Sequence, residues 1–268
     1  MQEPQGIPGT ETSSWFVPTW LEVDALPTFA VVDTRSAQGR LDQREKIVTV
    51  RDLILFHGHA CDGLLRGVWA MRALADIAFG ASPLDRSDLM VVSKNSPCLG
   101  DVAAYLTGAR VRFGTHRLDD DLGLGFIVQR CSTGETWEVR EEAGFFPPLI
   151  AAWEAALLRP DLDPDDKAEL LAVHEAAQWD WVRSSLLPSA PREHYCVSAL
   201  AVPELPAPLH TATRTDTVNR LVHAPRTVTT RYEPVLDAKE PRDPQPRAWV
   251  ERYLQGPEAA LETLGRDR

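Results

Sequence analysis

The chain has 268 residues, 44% of them hydrophobic, enough to bury one good core or a core with a small appendage. Its formal net charge of −11 and pI near 5.1 exclude the broad electropositive face that a nucleic acid or an anionic membrane requires, and no Lys/Arg-rich block overrides that field. Cys61, Cys98, Cys131 and Cys196 are widely separated with no CxxC pair, which argues against both a disulfide framework and a zinc ribbon.

Met1-Gln2-Glu3-Pro4-Gln5-Gly6 lacks the basic and apolar regions of a secretory leader. No apolar run approaches the roughly 20 residues that span a bilayer. A soluble, cytoplasmic protein is the expectation. The first 25 or so residues read as a polar arm from which Trp15, Phe16 and Trp20 can dock on a core or a partner. Phe29 to Val32 is strand-like. Thr49-Val50-Arg51-Asp52 resembles a capping box and predicts a short helix ending at His57-Gly58-His59. From Gly63, apolar residues Leu64, Val68, Met71, Ala75 and Ala78 recur at helical spacing until Gly80 and Pro83, a buried helix. Leu89 to Val92 reads as a buried strand. Ser96 and Pro97 suit the N-cap and first position of a helix that stops at Gly108 and carries Cys98 in its first turn.

Strands are then predicted at Val111 to Phe113, Leu124 to Gln129 and Thr136 to Val139, as an antiparallel meander. A helix begins near Pro148, and a longer one at Asp163-Pro164-Asp165-Asp166, closed by Pro188. The proline-rich segment after Pro203 reads as a tail wrapping the core. This order favours an α+β fold: an antiparallel or mixed sheet with helices packed on it. The divisions expected are an N-terminal arm with a strand over 1–44, a metal-binding core over 45–205 and an extension over 206–268.

The chemistry concentrates in His57-Gly58-His59-Ala60-Cys61. Two imidazoles and a thiol within five residues suit a divalent metal, zinc first, with Fe, Ni or Co compatible. Gly58 gives the backbone freedom for His57 and His59 to converge, though one of them can instead orient a neighbouring ligand. A further donor is needed, and Cys98 at a helix N-terminus, where the thiolate is favoured, is the leading candidate. Asp101, one turn on, serves either as the carboxylate that holds a ligand imidazole, as a general base, or as plain helix surface. Asp62 and Arg66 read as substrate-binding groups or as surface charge. His116 is a candidate lining residue of the same cleft. His174, His194, His210 and His223 have no ligand-like company, Cys131 and Cys196 (near a chain turn) read as structural thiols, and Asp119 to Asp121 read as a solvated turn.

His57-Gly58-His59-Ala60-Cys61-Asp62-Gly63-Leu64-Leu65-Arg66-Gly67 resembles the HGHxCPGLxxG motif of the FmdE-like family, the group named for a component of formylmethanofuran dehydrogenase. Cys98-Leu99-Gly100-Asp101, with Leu106-Thr107-Gly108 and Phe113-Gly114, is similar to that family's second motif, and Arg192 to Pro203 resembles the end of its core. The resemblance covers about residues 45–205 and implies a compact α+β core, a homodimer, and a cleft whose cysteines bind a divalent metal, with zinc expected. It also implies a setting near molybdenum or tungsten dehydrogenases. Asp62 replaces the family's usual proline, Ser93-Lys94-Asn95 its acidic opening, and Leu124 stands where lysine is common; the C-terminal zinc finger of some members is absent. The expected metal ligands are His57, His59, Cys61 and Cys98, with Cys61, Asp62 and Asp101 as catalytic groups. Two functions follow as expectations: a metal-dependent hydrolase or thiolate-based transferase acting on a small molecule, or a non-enzymatic accessory that handles metal or cofactor for a larger dehydrogenase.

Overall fold

The computed structural model describes residues 17–34 and 41–200. Trp15, Phe16, His210, His223 and the extension expected over 206–268 lie outside the described residues. The fold combines helices with two mixed sheets, as the α+β expectation had it. The first sheet has strand order β2-β1-β3, from β1 (Phe29–Thr34), β2 (Leu41–Val48) and β3 (Leu84–Asp85). The second has order β5-β4-β6-β7-β8, from β4 (Leu89–Ser93), β5 (His116–Leu118), β6 (Gly125–Arg130), β7 (Thr136–Glu141) and β8 (Tyr195–Ala199). Within it β4, β6, β7 and β8 are antiparallel neighbours, whereas β5 runs parallel to β4.

The core is organised around α2 (Asp62–Ala78), where Leu64, Leu65, Val68, Ala70, Met71, Ala73 and Leu74 are all fully buried. This helix packs on β6, β7 and β8 with one face and on α3 (Pro97–Thr107) with another. A helix enclosed on several sides must be apolar all round, and its sequence is. The closest approach to α3 depends on two glycines one turn apart. A Cβ on Gly63 would lie 3.0 Å from Cys98 Sγ, and one on Gly67 3.1 Å from Leu99 Cδ2.

Ahead of α2, the helix α1 (Val50–His57) starts at a capping box, in which Thr49 accepts from the Asp52 amide and Asp52 accepts from that of Thr49. It ends on Gly58, whose φ of 100° is the left-handed conformation that glycine adopts without a Cβ penalty. Two helices, α4 (Pro148–Leu157) and α5 (Pro164–Trp181), follow the second sheet. A π-helical turn over Val182–Leu186 continues α5 towards Pro188.

Three expectations need correction. Val111–Phe113 is a 3-10 turn closed by Gly114 at φ 70°, not a strand; three residues between Arg110 and that glycine leave no length for a ladder. The meander therefore starts one element earlier, at β4. Cys196 sits in β8 rather than near a turn, paired with Arg140. The short strands β3 and β5 have no alternating pattern long enough to be read from sequence.

Candidate metal centre

The site forms where α1 stops, α2 starts and α3 points its N-terminus at the junction. His57 is the last residue of α1. Cys61 is the N-cap of α2, with φ −150° and ψ 166°, and its Sγ accepts from the Leu64 amide at 3.4 Å. Cys98 is the second residue of α3. Ser96, the N-cap of that helix, makes no side-chain capping bond; its hydroxyl instead bonds to Cys98 and favours the thiolate.

Three donor atoms face one another across a gap. Cys61 Sγ and Cys98 Sγ are 3.5 Å apart, and each lies 3.7 Å from His57 Nε2. Tetrahedral zinc with Zn–S of about 2.3 Å and Zn–N of about 2.0 Å places neighbouring ligand atoms roughly 3.5–3.8 Å apart, so this donor set fits such an ion. His59 stands at the rim: its ligand atom lies within 4.8 Å of those of His57 and Cys61, and its ring is 4.5 Å from that of His57. It is exposed, whereas the His57 side chain is 3% exposed.

Behind His57, Nδ1 is 2.8 Å from Asp101 Oδ2. A carboxylate there keeps the proton on Nδ1 and turns the lone pair of Nε2 towards the two sulfurs, the usual support of a metal-ligating imidazole. The helix-surface reading of Asp101 is thereby displaced. Between the thiols the first deprotonation belongs to the pair. It falls below the ordinary value of 9.0, to about 7 at Cys98, chiefly because the Cys61 thiol donates to the Cys98 sulfur and because His57 is near. The same shared bond, with burial, pushes Cys61 well above the thiol range.

Asp62 and Arg66 are not surface charge. Their side chains are each 12% exposed and 3.5 Å apart, and Arg66 makes a two-pronged pair with Glu141, Nε to Oε2 at 2.9 Å and Nη2 to Oε1 at 2.5 Å. Tyr195 donates its hydroxyl to Glu141 Oε2 at 3.0 Å, and burial followed by the Glu141 charge pushes that phenol up. The Arg66 guanidinium also lies 3.7 Å from the ring centre of Phe146. Glu141 and Tyr195 are register partners on β7 and β8; no motif marks them, so sequence reading missed both.

A cavity of about 830 Å³ opens over this arrangement, lined on one side by His59, Cys61, Asp62, Arg66 and Cys98. Its far wall comes from α4 and α5, including Glu154, His174, Glu175 and Trp179. His174 thus faces the cavity, contrary to expectation. His116 does not line it: it is 5% exposed, with Nε2 2.8 Å from Ser93 Oγ. Burial, then the Arg110 charge, lowers the pKa of that imidazole. His194 pairs with Glu142 at 3.1 Å and stacks on Phe145.

The model of the family described as FmdE, Molybdenum formylmethanofuran dehydrogenase operon, matches residues 56–180. The chain carries an FmdE-family core. That span takes in the α1–α2 junction, α3 and the α4–α5 wall, so the donors and the cavity over them all belong to the FmdE core. Among solved structures, the chain is similar to an FmdE-like protein of tungsten formylmethanofuran dehydrogenase from Syntrophus aciditrophicus, at 17% identity and a TM-score of 0.34, over 56% of this chain and 69% of that one. A comparison with curated proteins gives no match. Among the described residues no helix is long and apolar enough to cross a membrane.

Proposed function

We propose that this chain is a metalloprotein that holds one divalent cation, zinc by the softness of its donors, on His57, Cys61 and Cys98, and acts on a small molecule in the adjoining cavity. The observation that carries the reading is the triangle of donor atoms with edges of 3.5, 3.7 and 3.7 Å, open on its cavity side. Catalytic zinc sites hold three protein ligands and keep a position for water or substrate, whereas structural sites are closed by four. Bound there, the cation would supply Lewis-acid activation of a carbonyl or of water, the chemistry of amide or formyl hydrolysis.

The protein groups have separable tasks. Asp101 holds the His57 tautomer. Asp62, lining the cavity beside Cys61 and kept charged by Arg66, is the group placed to accept a proton at its carboxylate. His59 at the rim either completes the coordination sphere or contacts the ligand.

A second reading, thiolate chemistry, draws support from the lowered titration of the thiol pair. A Cys98 thiolate facing the cavity would attack an electrophilic carbon or sulfur, a use of the sulfur incompatible with ligating a metal. A non-enzymatic accessory role fits the operon named in the family's description. Elemental analysis of the purified chain tests the main reading: near-stoichiometric zinc, lost in Cys61→Ser, is expected. A fully folded, metal-free wild type that takes up no zinc would overturn it. Given bound zinc, hydrolysis of small formyl and amide compounds that Asp62→Asn abolishes would separate an enzyme from an accessory.

A further inference from the structure

The cavity has two chemically different walls, and the metal reading uses only one of them. The opposite wall is one stripe of α5 with α4 beside it. His174, Glu175, Gln178 and Trp179 all line the cavity from α5, and Glu154 does so from α4. Positions separated by three, four and one residues fall on the same helical face, so α5 turns a single polar stripe towards the donors.

The charges on the two walls are unequal. Arg66 is already taken by Asp62 and Glu141. Lys94 lines the cavity from the core side, and among the described residues neither it nor Glu154 nor Glu175 forms an ion pair. Two uncompensated carboxylates therefore face one lysine. Trp179, one turn after Glu175 and 8% exposed, adds an aromatic surface to the same wall. Carboxylates beside an indole form a receptor for an ammonium group, because the ring quadrupole and the anions attract the same charge. At about 830 Å³ the cavity lies in the range that encloses a small organic molecule, roughly 300–1,000 Å³.

We infer that the α4–α5 wall is a subsite for a cationic amine, and that the ligand of this cavity is a small molecule with a metal-seeking group at one end and an ammonium at the other. The inference rests on the metal reading above. The metal donors fix one end of the ligand, and Glu154, Glu175 and Trp179 select its other end by charge.

The test uses the full chain loaded with Co²⁺, whose thiolate absorption reports both metal uptake and the arrival of a further sulfur. Three probes of matched length differ only in the tail: cysteamine is cationic, 2-mercaptoethanol neutral and 3-mercaptopropionate anionic, each extended to longer homologues. The expected order of affinity is cationic, neutral, anionic. For partly exposed carboxylates and one ring, the preference for cation over neutral should be about five- to tenfold, shrinking as salt is raised. Glu154→Gln with Glu175→Gln should abolish the preference and leave cobalt uptake as in wild type. Binding that ignores the tail's charge, or a preference that survives the double substitution, would overturn the subsite while leaving the metal centre standing. The absence of any cobalt–thiolate band would overturn the metal reading and the subsite with it.

Discussion

The carboxylate of Asp101, one turn into α3, stands 2.8 Å from Nδ1 of His57 at the end of α1, so two helices from different parts of the chain jointly fix one imidazole. The same two elements deliver Cys98 and His57 to the donor triangle. Loss of the carboxylate should loosen the ring without removing a ligand. Asp101→Asn is expected to weaken metal affinity by about 10- to 100-fold, measured by chelator competition, with the circular dichroism unchanged. Wild-type affinity in the variant would show that Asp101 has no part in orienting the ligand.

Gly63 sets the distance between the sulfurs. Its missing Cβ would be 3.0 Å from Cys98 Sγ and 3.2 Å from Cys98 Cβ. Gly63→Ala should therefore impair metal binding more than stability, since alanine regains about 1 kcal/mol of helix propensity while displacing a donor. Gly67→Ala meets Leu99 and Val102 instead and should leave metal affinity near wild type. Equal metal affinity in the two variants would refute this spacing role.

Thiol titration gives a third measurement. In metal-free protein the alkylation rate of Cys98 should rise with pH and level off above a midpoint near 7, because the thiolate is the reactive form. Cys61, which holds the shared proton, should react after Cys98. Loading with zinc should suppress both. A Cys98 profile that keeps rising beyond pH 9.0, the ordinary thiol value, would contradict the shared-proton arrangement.

Arg66 neutralises two buried carboxylates, Asp62 and Glu141, with side chains 12% and 8% exposed. Removing the cation from such a group typically costs about 3–5 kcal/mol. Arg66→Met is expected to fall in that range by denaturant unfolding, and adding Glu141→Gln should recover a large part of the loss. No recovery would mean that packing on Phe146, not charge, dominates.

The buried imidazole of His116 predicts an acid-side loss of stability. Its folded-state pKa lies below the ordinary 6.5, so at pH values between the two the unfolded chain binds a proton that the folded chain does not. The contribution is complete above pH 6.5 and declines as the pH falls from there towards the folded value, with a slope of up to about 1.4 kcal/mol per pH unit. Tm measured against pH should be flatter below that point in His116→Gln. An unchanged slope would assign the acid sensitivity to other groups.

What can be read from the sequence is local. The α1 capping box, the buried α2 and the Pro97 start of α3 are all legible, because caps, glycines and apolar spacing act within a few residues. The pairing of Cys98 with Cys61 and of Asp101 with His57 is only a supposition until α2 and α3 pack through Gly63 and Gly67. Glu141 and Tyr195 cannot be foreseen, since an ordinary strand glutamate and tyrosine gain their meaning only from the β7–β8 register. His174 escapes notice for a related reason: a helix-surface histidine belongs to a cavity only once another wall exists.

Tyr195 also sets the length of chain that the site requires. It lies beyond residue 180, where the family match stops, yet its hydroxyl holds Glu141, which in turn holds the guanidinium beside Asp62. A fragment cut at the edge of sequence similarity would keep every metal donor and lose the outer link of that chain of contacts. The smallest working unit of this protein accordingly runs through β8, and trimming by homology alone would leave intact donors on a cleft whose countercharges have lost their anchor.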